Sequence, residues 1–450
     1  MRVATLLLSL GGLGCGGAPP PCEADLQFEA SGAAGNVVVV LLDDIGVEKL
    51  SSWGQGDNFA HTPVLDALDS QSVRFERAYA TPSCSPSRAT LLTGRRSRRT
   101  GIGKWIDPEV DDVDLADDEI TIPEMLRDAP DPWTSAIIGK WHLSVFDKNA
   151  PEDPFSQGFD VFEGLLGNPL MTWETTEEKR SYDYWEYFAD GERSVNENYL
   201  TTVTTDDAID QLETLPEPFF LYTAYSAAHS PMHWPPAELV PDRPDDLTRF
   251  DAMIQSLDTE LGRLFAAIDP TDTTVIVMGD NGTSDKSLVR PLDKHHAKNS
   301  IHEGGTHVPL WVWGAAVERP GETSKALVHI SDIFSSVADI AGVSLESRGD
   351  EIDGRSFLPH LRRANADQRA CLVSEIFRQN GRPHYKLERS IRDDRYVLIR
   401  HHKEPDELYN LNTPLGDLGD DLLADKPSSE VKKAHRQLSR WLKQDLRAVR

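Results

Sequence analysis

Residues 84–95 combine a cysteine, an arginine and the start of a helix in one short segment. The segment reads Cys-Ser-Pro-Ser-Arg-Ala-Thr-Leu-Leu-Thr-Gly-Arg, and its proline suits the first position of a helix. Ser85 is then the predicted N-cap and Gly94 the predicted stop. Helix N-termini attract anions, because their N–H groups lack partners and the helix dipole is positive there. Cys84 and Arg88 are therefore placed to meet an anion, the alternative being a helix start with a buried free cysteine.

Four side chains with ligand oxygens follow two strongly apolar runs. Asp43 and Asp44 follow the first run, and Asp280 and Asn281 follow the second. Gathered in one pocket, each pair of carboxylates at ~4 Å would repel by about 4 kcal/mol at an effective dielectric constant of ~20. A divalent cation removes that repulsion, and an all-oxygen ligand set indicates Ca²⁺ or Mg²⁺ rather than Zn²⁺. For the second pair taken alone, an ordinary turn is the alternative.

Two lysines and two histidines form a cationic counterpart to these carboxylates. Lys140 and His142 come after a short apolar run, and His229 comes shortly after another. Lys298 opens the segment Lys-Asn-Ser-Ile-His-Glu-Gly-Gly. A histidine taken alone is more often structural or exposed than catalytic, but together these residues could bind an anionic group and transfer protons.

These segments together resemble the type I sulfatases, which belong to the alkaline phosphatase superfamily. The resemblance rests on Cys-x-Pro-Ser-Arg with Leu-Thr-Gly-Arg, on Gly-Lys-Trp-His-Leu at 139–143 and on Lys-x-Ser-x-x-Glu-Gly-Gly at 298–305. It runs from about Asn36 to about Leu411 and is most similar to the arylsulfatase and N-acetylgalactosamine sulfatase branch. Ser144 and His307 depart from the pattern, where glycine and arginine are usual, and these departures bear on substrate choice.

The resemblance implies a hydrolase of sulfate monoesters, either aryl or carbohydrate sulfates. It implies that a formylglycine-generating enzyme oxidises Cys84 to formylglycine, whose hydrate attacks sulfur with Asp280 as base. The implied Ca²⁺ ligands are Asp43, Asp44, residue 84, Asp280 and Asn281. The implied catalytic residues are Cys84, Arg88, Lys140, His142, His229 and Lys298. Of these, three also bind the substrate: Lys140, His229 and Lys298.

Two other functions remain open at this point. A phosphonate or phosphodiester hydrolase of the same superfamily can share the cysteine segment. A catalytically silent protein that binds sulfated glycans would keep Cys84 unmodified. An aromatic cluster, residues 182–187, could stack on a sugar ring or belong to local packing.

The composition and net charge of the chain limit the kinds of molecule that it can be expected to bind. The chain has 450 residues, 39% of them hydrophobic, and a net charge of −28. A basic surface for nucleic acid would have to oppose the electrostatic field of that net charge, so nucleic acid is not an expected partner.

An anionic substrate needs a pocket that is locally positive. The arginines that follow the cysteine segment could contribute to it, or could form a solvated helix end: Arg95, Arg96, Arg98 and Arg99.

The first 22 residues are interpreted as an export signal. Arg2 precedes a short apolar run and small residues around Cys15, a pattern similar to a lipoprotein signal in which Cys15 is lipidated. The predicted location is therefore periplasmic, outer-membrane or cell-surface, with ordinary secretion as the alternative. Any contact with a membrane is predicted to be through that lipid alone. Cys22 and Cys371 could form a disulfide in an oxidising compartment.

Apolar runs alternate with helical patterns along most of the chain. The predicted strands are residues 36–42, 134–138, 218–224, 273–278 and 310–313, and the predicted helices include 62–71, 200–215, 249–268 and 333–341. This order predicts an α/β sandwich with a large mixed sheet flanked by helices. The candidate residues follow the carboxyl ends of the strands, where such sheets bind ligands.

The predicted domain organisation has four parts. Residues 1–22 are the signal and 23–35 a linker. Residues 36–345 form the catalytic domain, with the alkaline phosphatase-like architecture that the resemblance implies. Residues 346–450 comprise a linker and a smaller C-terminal α+β subdomain with an antiparallel sheet and a closing helix at 429–447.

Overall fold

The structure is a computed structural model that describes residues 35–56, 59–107, 110–146, 150–171, 180–287, 294–346, 351–412 and 419–448. The predicted export signal, with Cys15 and Cys22, lies outside the described residues, so those interpretations remain predictions. Within the described ranges, no helix is long and apolar enough to cross a bilayer.

Ten described strands form one mixed sheet. They are β1 (Asn36–Leu42), β2 (Ser72–Tyr79), β3 (Thr134–Lys140), β4 (Val161–Leu165), β5 (Trp185–Ala189), β6 (Glu192–Asn196), β7 (Phe219–Ala224), β8 (Thr273–Gly279), β9 (Leu310–Gly314) and β10 (Glu322–His329). Their order across the sheet is β10-β2-β9-β8-β1-β7-β3-β4-β5-β6. The strands β8, β1, β7 and β3 are neighbours and run parallel.

The central strand β1 shows why the sheet has two covered faces. All of its residues are buried, and its alternate side chains enter two different apolar clusters. A continuous β-branched run such as this one suits a strand that is covered on both sides. The described helices are α1 (Pro63–Leu68), α2 (Cys84–Thr93), α3 (Ser97–Thr100), α4 (Ile122–Leu126), α5 (Asp153–Ser156), α6 (Leu200–Thr214), α7 (Arg249–Ala266), α8 (Glu303–Thr306), α9 (Asp332–Ala341), α10 (Leu358–Arg362) and α11 (Ser429–Ala448). Helices α2, α4 and α9 contribute to the cluster on one face of the sheet, and α1, α6 and α7 to the cluster on the other. The predicted sandwich of a mixed sheet between helices is confirmed.

A second, antiparallel sheet follows in the last quarter of the chain. Its strands are β11 (Leu372–Ile376), β12 (Glu388–Arg392), β13 (Tyr396–Arg400) and β14 (Glu407–Asn410), in that order across the sheet. Leu438 and Leu442 of α11 are buried against one face of it, in a cluster with Ile391, Leu398 and Leu408. Cys371, directly before β11, is disulfide-bonded.

The arginines after the cysteine segment join the two sheets. Arg96 donates to Asp445 of α11 at 2.6 Å and to Asp353 at 3.0 Å. Arg98 donates to Glu375 of β11 at 2.7 Å. The side chains of Arg96 and Arg98 are at least nine-tenths buried and bind these carboxylates. They therefore neither line the substrate pocket nor form a solvated helix end, the two alternatives that the sequence left open. Their short polar segment instead forms a charged contact between the large sheet's helices and the C-terminal subdomain.

We expect replacement of Asp445 by alanine to lower the free energy of unfolding by about 3–5 kcal/mol, because it leaves buried guanidinium groups without a carboxylate. The matched control is Glu430→Ala on the same helix, whose partner Arg395 is exposed. That exposed pair is expected to contribute less than about 1 kcal/mol. Urea unfolding of both variants measures the difference, and equal effects would contradict a stabilising role for Asp445.

Candidate active site

Four adjacent parallel strands end at the same edge of the large sheet. Leu42 of β1 pairs with Gly279 of β8, and Gly139 of β3 pairs with Ala224 of β7. The residues that follow these positions therefore emerge together, as the alternating pattern predicted. Backbone bonds join the loops: the Asp280 N–H donates to the Leu42 carbonyl at 3.0 Å.

Helix α2 brings Cys84 and Arg88 to that edge. It begins at Cys84 with Ser83 as N-cap, so the prediction of Ser85 as N-cap is wrong. The Ser85 hydroxyl instead accepts the Ile106 N–H at 2.9 Å, a contact with a distant loop that the local sequence does not reveal. Gly94 ends the helix with a φ of 68°, as predicted.

Arg88 is the buried centre of the site. Its Nη2 lies 3.3 Å from Asp43 Oδ2 and 3.2 Å from Asp280 Oδ2, and its Nη1 donates to the Lys140 carbonyl at 2.6 Å. All of these side chains are fully buried. One guanidinium thus joins the loops after β1, β8 and β3.

Two lysines approach the carboxylates of the β1 loop from different sides. Lys140 Nζ donates to Asp43 Oδ2, and Lys298 Nζ donates to Asp44 Oδ1. Lys298 Nζ also lies 4.0 Å from Asp43 Oδ1. Asn281 donates from Nδ2 to Asp44 Oδ1 at 2.8 Å. Residues from five separate chain segments therefore meet in one buried cluster.

The charges in this cluster displace the carboxyl pKa values in opposite directions. Burial alone would raise the pKa of Asp43, but Lys140, His229, Lys298 and Arg88 hold it well below its usual range. Burial and the charge on Asp43 raise the pKa of Asp280 to about 7, against the lowering effect of Arg88 and Lys298. Asp280 therefore holds a proton more readily than Asp43 does.

Cys84, His142 and His229 are the remaining candidates, and burial and nearby charges shift the pKa of each one. Burial raises the pKa of the Cys84 thiol, against the lowering effect of Lys298 and Lys140. Burial and Lys140 lower the pKa of His142, whose two ring nitrogens have no hydrogen-bond partner in the described part of the chain. Partly exposed His229 has a pKa lowered to about 4 by burial and by the two lysines. Its Nδ1 donates to the Ser230 carbonyl at 2.8 Å.

The donor set fits a hard divalent cation. Asp43 Oδ1 and Asn281 Oδ1 are buried oxygens that no described group donates a hydrogen bond to. Asp43, Asp44 and His229 each bring a ligand atom within 4.8 Å of the others. Carboxylate and amide oxygens with unused lone pairs suit Ca²⁺ or Mg²⁺. The predicted ligands Asp43, Asp44, Asp280 and Asn281 lie together here, beside Cys84.

Three positioning residues escaped the sequence analysis. The Tyr182 hydroxyl donates to the carbonyl oxygens of Ser226 and His229 at 2.6 and 2.8 Å, which holds the His229 loop. Thr283 accepts the Gly46 N–H at 3.0 Å and joins the loops of β1 and β8. Tyr222 lies against Arg88, whose positive charge opposes the effect of burial on the pKa of its phenol. Tyr182 stood in the aromatic cluster, but no pattern in the sequence marked the other two.

Comparison with known proteins identifies the family. A family model described as Sulfatase matches residues 35–343, more than half of the chain. The chain belongs to the sulfatase family. It is therefore a sulfuric ester hydrolase. The residues that match the family model include all ten strands of the large sheet. A second model, N-sulphoglucosamine sulphohydrolase, C-terminal, matches residues 293–445.

Characterised relatives are similar over most of this sulfatase. N-acetylgalactosamine-6-sulfatase of Sus scrofa is 28% identical over 393 residues, which is 81% of this chain and 70% of that protein. Arylsulfatase J of Mus musculus is 28% identical over 336 residues, 71% of this chain and 55% of that protein. These relatives agree with the branch that the motifs resemble.

Solved sulfatase structures have the same fold. PsFucS1 sulfatase from Pseudoalteromonas sp. superposes with a TM-score of 0.73 at 20% identity, covering 92% of this chain and 90% of that one. BT4656, in complex with its substrate D-glucosamine-2-N,6-O-disulfate, gives a TM-score of 0.71 at 19% identity, covering 92% and 98%. The fold is the alkaline phosphatase-like sandwich, as expected from the sequence.

Proposed function

We propose that this sulfatase cleaves sulfate monoesters of carbohydrates or aryl alcohols, using formylglycine made from Cys84 and a bound Ca²⁺. The observation that carries the proposal is the arrangement at the sheet edge. Residue 84 begins a buried helix beside a cluster of carboxylates and the lysines that pair with them, Lys140 and Lys298. Both halves of a site for an anionic ester are therefore present.

The environment of Cys84 argues against a simple thiolate nucleophile. Burial raises the pKa of its thiol, whereas reactive cysteines have lowered values. A formylglycine hydrate at this position would supply the oxygen nucleophile for attack on sulfur. The proposal therefore requires oxidation by a formylglycine-generating enzyme before the protein is active.

The charged side chains of the pocket nearly cancel one another, so a bound cation would leave the pocket net positive. Asp43, Asp44 and Asp280 carry up to three negative charges, and Arg88, Lys140 and Lys298 carry three positive charges. When bound by Asp43, Asp44, Asp280 and Asn281, Ca²⁺ would supply a net positive charge and polarise the oxygens of the ester. The pocket can then accept a sulfate group despite the chain's net charge of −28.

Each neighbouring side chain can be given a role from its contacts. Lys140 and Lys298 stabilise charge on the sulfuryl oxygens, with Arg88 holding the carboxylates in position. Asp280 accepts the proton released when the nucleophile attacks. His229 keeps its Nδ1 proton on the Ser230 carbonyl, so its Nε2 faces the leaving alcohol. The negative charge of a bound ester raises the pKa of His229 and favours the proton that Nε2 would donate. His142 assists release of sulfate from residue 84.

A panel of sulfated glycans, aryl sulfates and one aryl phosphonate tests the proposed reaction. Release of inorganic sulfate, with much slower phosphonate turnover, is the expected result. Preferential phosphonate cleavage would instead favour a phosphonate hydrolase. Binding of a sulfated sugar with no sulfate release, by protein whose residue 84 is an ordinary thiol, would identify a silent glycan-binding protein.

Calcium is expected to stabilise the folded protein as well as to support turnover. At about 100 times its dissociation constant, Ca²⁺ should add about 2.7 kcal/mol to the free energy of unfolding. Asp44→Asn should reduce that gain by at least about 1.4 kcal/mol, a tenfold loss of affinity. Asp285→Asn, an exposed acid near the same edge, is the matched control. Equal stabilisation of the two variants would contradict the proposed ligand set.

We also propose that the protein is exported. The disulfide at Cys371 supports an oxidising compartment, because such bonds are rare in the cytosol. Cys22 remains the predicted partner, and non-reducing peptide mapping tests that pairing. Mass spectrometry of the mature N-terminus would detect a lipid on Cys15, or its absence after ordinary secretion.

A further inference from the structure

A second cluster of metal-binding side chains lies outside the candidate active site. His302 directly precedes α8, His401 directly follows β13, and Glu407 begins β14. Their ligand atoms, one from each residue, all lie within 4.8 Å of one another. The cluster therefore joins the large sheet's Lys298 loop to the C-terminal sheet.

Glu407 holds the two imidazoles together. His302 Nε2 lies 3.1 Å from Glu407 Oε2, and His401 Nε2 lies 3.1 Å from Glu407 Oε1. The Tyr409 hydroxyl donates to Glu407 Oε2 at 2.6 Å. His302 also stacks on His296, with ring centroids 3.7 Å apart and planes 6° from parallel. The imidazole orientations are thus set by packing and by a shared carboxylate.

These distances match the spacing of ligands around a small divalent metal. Zinc lies ~2.0–2.2 Å from nitrogen and oxygen ligands, so two tetrahedral ligands are about 3.4 Å apart. The 3.1 Å contacts are hydrogen bonds that each Nε2 donates to Glu407, so a bound ion would replace them, with each ring proton moving to Nδ1 or to solvent and the ligands moving slightly apart. Tyr409 supplies the kind of outer hydrogen bond that orients a ligating carboxylate.

The ligand atoms of this cluster favour a different metal from the Ca²⁺ proposed at the active site. Two imidazole nitrogens and one carboxylate suit Zn²⁺ and similar transition metals, whereas Ca²⁺ prefers an all-oxygen shell. The side chains of His302 and His401 are 7% and 11% exposed, and that of Glu407 is 28% exposed. The ion can therefore enter through the carboxylate side and keep a water as fourth ligand.

We propose that His302, His401 and Glu407 form a site for a divalent transition metal, represented by Zn²⁺. Its position gives it a structural consequence. Lys298 lies four residues before His302 on the same loop. An ion shared by His302 and the C-terminal sheet would hold that loop in place. The site does not depend on the proposed reaction or on the state of residue 84.

The test is a titration of the full chain with Co²⁺, followed by competition with Zn²⁺. Excess Ca²⁺ occupies the oxygen-rich site, and a Cys84→Ala background removes the free thiol as a competing ligand. Visible ligand-field absorption of Co²⁺ reports coordination by imidazole, and displacement by Zn²⁺ gives the zinc affinity. The test variants are His401→Gln and Glu407→Gln, and His402→Gln is the matched control because His402 is exposed and adjacent.

One saturable equivalent of Co²⁺, displaced by Zn²⁺, is expected in the parent protein and in His402→Gln. The Zn²⁺ affinity of His401→Gln and of Glu407→Gln should fall by more than about 100-fold. Removing a group that only hydrogen-bonds to a ligand typically lowers metal affinity by about 10- to 100-fold, and the loss in Tyr409→Phe should lie within that range. Absence of a saturable equivalent in the parent protein would overturn the proposal, whether or not the variants fold. Unchanged affinity in folded Glu407→Gln would overturn it as well.

Discussion

Cys84→Ala is expected to lower kcat for sulfate ester hydrolysis by about 10⁴-fold or more, the scale seen when a catalytic nucleophile is removed. The proposed nucleophile is built on this side chain, and no neighbouring group can take its place. Cys84 is 1% exposed at the start of a buried helix, and alanine fits there with little disturbance. Turnover of the best substrate from the sulfate ester panel is the measurement.

Mass spectrometry and unfolding complete that experiment. The residue-84 peptide of active parent protein should carry formylglycine, and the variant should unfold at nearly the same urea concentration as the parent. Active protein whose residue-84 peptide retains an unmodified thiol would refute the formylglycine proposal. Residual activity near that of the parent in the alanine variant would refute the role of residue 84 altogether.

Lys298→Met is expected to lower kcat/KM by about 10²–10³-fold, as expected when one donor to a developing charge is removed. Lys298 contacts Asp44 and lies 4.0 Å from Asp43, so it stands at the point where the ester would meet the carboxylates. Burial tends to lower the pKa of Lys298, but Asp44 raises it above its usual value, so the lysine stays charged. Methionine keeps most of the side-chain length and removes the charge.

A matched lysine separates this local effect from a general loss of positive charge. Lys325 has a side chain that is 76% exposed, and Lys325→Met should leave kcat/KM within about twofold, as for surface charges remote from a site. Equal losses in both variants would show that Lys298 acts only through the overall field. A fall in kcat with unchanged KM would place its effect in the transition state rather than in substrate binding.

Much of this site could be predicted from the amino-acid sequence. The type of each residue, its place just after an apolar run and its match to a family motif located Asp43, Lys140, His229 and Asp280 at one sheet edge. Those signals are local, since strand periodicity and motif spacing are read from neighbouring residues. The central parallel strands and the longer helices were predicted for the same reason.

Other features depend on contacts between residues far apart in the chain. Helix α2 begins two residues earlier than predicted, and Ser85 bonds to Ile106 instead of capping the helix. Arg96 and Arg98 looked like candidates for the pocket, but carboxylates of the C-terminal subdomain bind them. The partly buried strands β2 and β4 carry weaker patterns than the fully buried ones.

The residue types and motifs established which chemical groups are available: a cysteine at a helix start, oxygen ligands, lysines and histidines. How these groups pair depends on the folded chain. Folding set Arg88 between Asp43 and Asp280, and it brought His302 from the Lys298 loop to His401 and Glu407 of the C-terminal sheet. The physical reason is that propensity and periodicity act over a few residues. Charge pairing and metal ligation instead depend on distances set by packing across hundreds of residues.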